Sequence, residues 1–127
     1  MASLRDLDSS VQHIAQAFVR VLESAVFARF AGVGQVRATV TSTRRSPDKQ
    51  RQLWDCYQRT GCSNCRRTAS CFPAAPPGQS SHGLGIAFDL HLSPPVYAAA
   101  GRLWEAIGYT WGGRFDDKIH FDFRRRA

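Results

Sequence analysis

Residues 80–89 have the sequence SSHGLGIAFD, in which a turn runs into an apolar strand. Two glycines permit the tight backbone path of the turn, and the residues that follow are typical of a strand. Successive side chains of a strand point to opposite faces, so Phe88 and Leu90 enter the core while Asp89 points away from it. The turn can bring the imidazole of His82 to the Asp89 carboxylate. The stretch therefore predicts a core strand that carries two candidate metal ligands.

A second segment, FDDKIHFDF at residues 115–123, supplies the partners that a metal site needs. Its apolar members alternate, which places His120 and Asp122 together on the face opposite the core. A catalytic zinc site commonly uses three protein ligands and leaves a fourth position for water, so His120 is the candidate third ligand. Asp117 enters from the preceding loop and is a candidate general base. Histidines in strands are often structural, and His91 in the earlier strand is interpreted in that way.

The rest of the chain alternates between helical and strand patterns. Apolar residues at helical spacing predict an N-terminal helix over about residues 9–31. The later predicted elements are a strand at 36–43, a helix at 47–57, a strand at 86–92, a helix at 94–107 and a strand at 118–123. This order predicts an α+β fold in which helices pack on an antiparallel sheet. A length of 127 residues suits a single domain, 1–127, with one core.

The chain is basic, with 17 lysines and arginines against 10 acidic residues and a formal net charge of +7. Such a charge attracts polyanions, which include nucleic acids, anionic membranes and bacterial cell walls. No apolar run approaches the length of a membrane span, and the first residues lack the pattern of a signal peptide. We therefore expect synthesis in the cytoplasm and no membrane span. Residues Arg124–Arg126 are expected to form a solvated tail, and the alternative is a tail that contacts an anionic partner.

Four cysteines lie in an irregular segment before the first candidate ligand, with the spacing C-x5-C-x2-C-x5-C; they are Cys56, Cys62, Cys65 and Cys71. One interpretation is a second, structural zinc held by the four thiolates, since the central C-x-x-C has the spacing of zinc ligands. The other is a pair of nested disulfides, Cys56–Cys71 and Cys62–Cys65, which an oxidising location would permit. The spacing alone leaves both interpretations open.

The cysteines and the arginine content also raise a hypothesis of another class, a zinc-containing nucleic-acid-binding protein. The four cysteines match no recognisable zinc finger, however. The basic residues are scattered along the chain and do not line one face of a helix. We therefore do not expect nucleic acid to be a partner.

Three segments, which follow one another along the chain at residues 42–50, 80–89 and 111–122, carry a family resemblance. Residues 80–89 have the pattern S-x-H-x-x-G-x-A-x-D, and W-G-G at 111–113 precedes D-x-x-H-F-D at 117–122. Residues 42–50, STRRSPDKQ, are similar to S-G-Y-R-S-P-x-x-Q, with threonine and arginine in place of glycine and tyrosine. Together these motifs resemble the zinc D-alanyl-D-alanine carboxypeptidases and the related L-alanyl-D-glutamate peptidoglycan endopeptidases, that is, the VanY-like and phage-endolysin peptidases. The resemblance covers residues 40–123.

The resemblance implies a hedgehog/DD-peptidase-like fold and one catalytic zinc on His82, Asp89 and His120. It also implies that Asp117 is the general base. Arg45 matches the family arginine that polarises the scissile carbonyl or grips a substrate carboxylate. The resemblance further implies a group of supporting residues around the site, which are Ser80, Gln50 and Asp122.

The implied activity is zinc-dependent hydrolysis of an amide bond in the peptidoglycan stem peptide. The W-G-G segment and the small size are more similar to the endolysin enzymes, so the expected activity is that of an L-alanyl-D-glutamate endopeptidase. The alternative is a D-alanyl-D-alanine carboxypeptidase. We expect a monomer that acts on the anionic cell wall after release at lysis.

Overall fold

The computed structural model describes residues 2–65, 71, 73–76 and 79–126. Its centre is a four-stranded antiparallel sheet in the order β1-β2-β4-β3. The strands are β1 (Thr39–Ser42), β2 (Ala87–His91), β3 (Tyr109–Trp111) and β4 (His120–Arg125). The α-helices are α1 (Gln12–Leu22), α2 (Ala25–Phe30), α3 (Pro47–Thr60) and α4 (Tyr97–Ala106). The predicted α+β architecture is confirmed.

The N-terminal segment, predicted as one helix over about residues 9–31, forms two helices. Ser24 separates them in an extended conformation and caps α2, because its Oγ accepts a hydrogen bond from the Phe27 N–H at 3.2 Å. A serine oxygen that satisfies a free N–H group favours a new helix start over continuation of the first helix. The apolar periodicity is continuous through this break, which is why the sequence pattern does not reveal it.

The two faces of the central strands have different roles. On one face, aromatic rings from the sheet and the helices form the core, and the rings of Phe88 and Phe121 stack with centroids 5.7 Å apart. Trp104 of α4 packs edge-on against both of these rings. On the other face, β2 and β4 present Asp89 and His120, which are paired across the two strands. The predicted alternation of core and polar residues is confirmed, and it leaves the polar face free to build a site.

Strand β3 was not predicted, and it explains the W-G-G segment. The indole of Trp111 lies against Gly101 of α4 and Gly113, and a Cβ atom at either glycine would overlap its ring. The indole N–H donates a hydrogen bond to the Lys118 carbonyl at 2.9 Å. A Cβ on Gly112 would lie 2.8 Å from the Cβ of His120. The segment therefore brings the chain that precedes β4 into close contact with α4 and with the candidate ligand.

Replacing Gly101 by alanine is expected to destabilise the fold. Alanine favours a helix interior by about 1 kcal/mol over glycine, but the added methyl group would overlap Trp111. Overpacking of this kind costs about 1–3 kcal/mol, so the unfolding midpoint should fall by several degrees. Thermal unfolding of the metal-free protein measures the effect. Gly34→Ala is the control, since a Cβ on Gly34 meets no atom within 4 Å, and an equal loss in both variants would contradict the prediction.

Candidate metal centre and active site

Three side chains converge on one point at the polar face of the sheet. Asp89 comes from β2, His120 comes from β4, and His82 comes from the turn before β2. The His82 Nε2 lies 3.0 Å from the Asp89 Oδ1 and 3.1 Å from the His120 Nδ1, and the last two atoms are 3.3 Å apart. Ligands of a tetrahedral zinc at 2.0–2.1 Å are about 3.3 Å from one another. The three atoms therefore fit one zinc ion.

Each histidine is oriented by a hydrogen bond from its other ring nitrogen. The His82 Nδ1 lies 2.6 Å from the Thr43 carbonyl oxygen, so it donates a proton to that oxygen and leaves Nε2 as a lone-pair donor. The His120 Nε2 lies 3.0 Å from the Asp122 Oδ2, which leaves Nδ1 as the metal-facing atom. Contacts of this kind fix the ring and the tautomer of a metal-binding histidine. The prediction that Asp122 supports the site agrees with this contact.

The electrostatics of the cluster also suit a cation. Burial would raise the pKa of Asp89, but hydrogen bonds from His120 and His82 outweigh it and hold the pKa well below its usual range. Burial would lower the pKa of His120, but hydrogen bonds to Asp122 and Asp89 raise it to about 9. The carboxylates of Asp89 and Asp122 thus favour positive charge at this point, and a bound metal ion would supply that charge.

Asp117 lies beside the three ligands but does not belong to the cluster. Its loop is held by two backbone hydrogen bonds, from the Asp117 N–H to the Gly112 carbonyl at 2.9 Å and from the His120 N–H to the Asp117 carbonyl at 3.0 Å. Burial is the main cause that raises the pKa of the Asp117 carboxyl. A carboxylate with a raised pKa accepts a proton more readily, which suits a general base.

Arg45 and Gln50 form a connected pair at the same site. The Arg45 Nη2 lies 3.4 Å from the Asp89 Oδ2, and its Nη1 donates to the Gln50 Oε1 at 3.3 Å. Burial lowers the pKa of Arg45, although Asp89 and Asp117 oppose that change. Gln50 is itself buried, and its Nε2 donates to the Ala75 carbonyl at 2.7 Å. The two residues therefore tie the candidate metal ligand to α3 and to the segment beyond the cysteines.

These groups open into one cavity of about 380 Å³. Ser80 and Ser81 line it beside the metal cluster; the Ser80 Oγ accepts a hydrogen bond from the His82 N–H at 3.2 Å, and the Ser81 side chain bonds to Asp122. Every residue predicted for the catalytic site contributes to this cavity. The cavity is also lined by Ser63 and residues 73–75, which belong to the segment that carries the cysteines.

The cysteines are paired as disulfides, Cys56 with Cys65 and Cys62 with Cys71. Of the two interpretations that the spacing left open, the structure supports the disulfides, but the nested pairing offered for them is wrong. Gly61 has a left-handed conformation, with φ of 76°, at the end of α3 and reverses the chain there. The reversal brings Cys65 back beside the last turn of the helix. The alternative of a second, structural zinc has no support in the structure.

The disulfide pairing predicts the thiol and metal content of the purified protein. Under denaturing, non-reducing conditions we expect thiol titration to find no free cysteine, because all four are paired. Metal analysis of the zinc-loaded protein should give one zinc per chain. Peptide mapping without reduction should recover the Cys56–Cys65 and Cys62–Cys71 links. Four titratable thiols together with two zincs per chain would contradict the pairing.

The cavity residues that the sequence analysis missed include Ser81 and Arg124, which carry polar side chains beside the metal cluster. Ser81 occupies a variable position of the S-x-H motif and gave no signal of its own. Arg124 was assigned to a solvated tail, whereas β4 continues to Arg125 and Arg124 lines the cavity. The alternation of His120 and Asp122, extended by one step, would have found it. His91 is exposed at the end of β2 and does not belong to the metal cluster.

Comparisons with known proteins identify the family to which the chain belongs. A family model described as VanY, D-alanyl-D-alanine carboxypeptidase, matches residues 10–106, a segment that includes His82 and Asp89 and ends before His120. No curated protein sequence matches the chain significantly. Among the described residues, no helix is long and apolar enough to cross a membrane.

Two solved structures share the fold. One is a mutant of the vancomycin resistance D,D-pentapeptidase VanY from a VanB-type resistance cassette, in complex with Zn(II); it is 21% identical with a TM-score of 0.60, and the match covers 92% of this chain and 72% of that one. The other is VanYB in complex with D-alanine-D-alanine, 19% identical with a TM-score of 0.62, covering 92% and 71%. The predicted DD-peptidase-like fold is thus confirmed. Since the family model matches well over half of the chain, the protein belongs to the VanY family of zinc-dependent peptidoglycan peptidases.

Proposed function

We propose that the protein is a D-alanyl-D-alanine carboxypeptidase that removes the terminal D-alanine from peptidoglycan stem peptides. The observation that carries the proposal is the convergence of three oriented metal ligands, a carboxylate with a raised pKa and a partly buried arginine on one cavity. The description of the family model and the dipeptide bound to one relative support this substrate over the L-alanyl-D-glutamate bond that the sequence analysis favoured.

In the proposed mechanism, His82, Asp89 and His120 would hold the zinc, and the protein's other polar groups position the substrate and move protons beside it. Zinc bound at such a site lowers the pKa of a water molecule and polarises a carbonyl group. Thr43 and Asp122 keep the two imidazoles in the tautomer that the metal requires.

Asp117 takes the proton from the attacking water and delivers it to the departing amine of D-alanine. Its partial burial favours this role, because the carboxylate gains from accepting a proton in a poorly solvated position. Arg45 has a fixed guanidinium that is held by Asp89 and Gln50. In that position it stabilises the negative charge that develops on the carbonyl oxygen.

The proposed place of action is the bacterial cell wall. A net charge of +7 would attract the chain to the anionic groups of the wall. Release from the cytoplasm at lysis is the route that the sequence analysis suggests, and it is part of the proposal.

Incubation with a stem peptide that ends in D-Ala-D-Ala, followed by mass analysis, tests the activity. The expected product is the peptide shortened by one D-alanine, and a chelator should abolish its formation. New L-alanine carboxyl ends would instead establish the endopeptidase activity. If zinc-loaded protein released no product from the peptide or from purified peptidoglycan, the proposal would be refuted.

A further inference from the structure

Arg124 is a second arginine of the cavity that the proposed mechanism does not use. In β4 the residues His120, Asp122 and Arg124 alternate with apolar residues and therefore share the face that carries the metal cluster. The Arg124 backbone N–H donates to the Asp122 Oδ1 at 2.9 Å, which fixes the start of its side chain beside the site. The arginine thus belongs to the cavity wall.

The guanidinium of Arg124 is available to a ligand, in contrast to that of Arg45. Arg45 is largely buried and is engaged by Asp89 and Gln50. Arg124 is exposed, and its Nη2 donates to the Gln79 carbonyl at 3.1 Å. Within the described ranges, no carboxylate forms an ion pair with it. A guanidinium has five donor hydrogens, so most of those on Arg124 remain for an anion.

The position of Arg124 suits a group that lies beyond the scissile bond. Four strand steps separate it from His120, which is about 14 Å along β4. Arg124 and His120 nevertheless line the same cavity. A dipeptide whose amide bond lies at the metal cluster extends one residue, about 3.5 Å, beyond that bond, so its terminal carboxylate enters the part of the cavity that Arg124 lines when the peptide follows β4.

We propose that Arg124 determines specificity by binding the free α-carboxylate of the D-residue that leaves the substrate. The proposal rests on the proposed function for the identity of that residue, but it concerns a binding contact whose affinity is measured separately from the rate of hydrolysis. A planar guanidinium matches a carboxylate with two parallel hydrogen bonds, so it prefers a free carboxylate to an amide.

Calorimetric titration with the dipeptide D-Ala-D-Ala and with its C-terminal amide tests the contact. The zinc-loaded wild-type protein should bind the free acid about 10- to 100-fold more tightly than the amide. Arg124→Ala should remove most of this preference and leave the affinity for the amide unchanged. Arg126→Ala is the matched control, since Arg126 is exposed, carries the same charge and does not line the cavity. It should retain the full preference.

Turnover separates this proposal from the proposed function. With a cleavable stem peptide, Arg124→Ala should raise KM about 10- to 100-fold for the free acid with little change in kcat, and its zinc content should equal that of the wild type. An equal rise in KM for the acid and the amide, or the same rise in Arg126→Ala, would overturn the role of Arg124. The proposed carboxypeptidase activity would still stand. If the wild type cleaved neither peptide but bound the acid through Arg124, the proposed function alone would fail. Absence of any acid preference in the wild type would refute the Arg124 contact directly.

Discussion

Replacing Asp117 by asparagine should lower kcat by about 10²- to 10⁴-fold and leave the zinc content unchanged. The substitution keeps the size of the side chain but removes its ability to accept a proton. Asp117 lies outside the set of three ligand atoms, so the metal cluster should remain complete. The assay is steady-state hydrolysis of a stem peptide that ends in D-Ala-D-Ala, with metal analysis of the same sample.

Asp116→Asn is the matched control for this experiment. Asp116 is the neighbouring residue, is exposed and has a left-handed backbone with φ of 61°, which asparagine tolerates. The control removes the same charge from the same loop without touching the cavity, and it should retain nearly full kcat. A wild-type rate in Asp117→Asn would exclude Asp117 as the base. Loss of zinc from that variant would instead place Asp117 among the ligands.

Features that depend on the alternation of apolar and polar residues within one segment could be predicted from the sequence. A strand has a period of two residues, so the apolar positions around Asp89 and His120 determine which face these side chains occupy. The structure confirms that face and pairs the two residues across neighbouring strands. The approach of His82 to the same point followed from a tight turn before the strand. The three candidate ligands were therefore found from patterns within short segments.

Other features depend on contacts between distant segments and left no local pattern. The hydrogen bond to His82 comes from the backbone carbonyl of Thr43, and every residue type has such a carbonyl. The contact of Trp111 with Gly101 joins β3 to α4, and neither segment alone indicates the other. Cysteine pairing likewise depends on how the chain reverses after Gly61, whereas the spacing allows several pairings.

Replacing His82 by alanine should abolish both zinc binding and hydrolysis. The His82 Nε2 is one of three ligand atoms, and two remaining ligands do not hold a catalytic zinc. Metal analysis of the variant after zinc loading and gel filtration should therefore find no bound zinc. Hydrolysis should fall below detection, since water would no longer be activated at the site.

A buried histidine also contributes to folding, and the experiment must separate the two roles. In His82→Ala the Thr43 carbonyl loses its partner, which should destabilise the metal-free protein by about 1–3 kcal/mol. A metal that binds only the folded state raises the unfolding midpoint, so zinc should raise the midpoint of the wild type. His91→Ala is the control, because His91 is exposed and lies outside the metal cluster. Zinc should raise the midpoint of this control as well. Zinc should leave the midpoint of His82→Ala unchanged. A lower midpoint that zinc still raised by the wild-type amount would show that His82 is structural and that another residue completes the metal site.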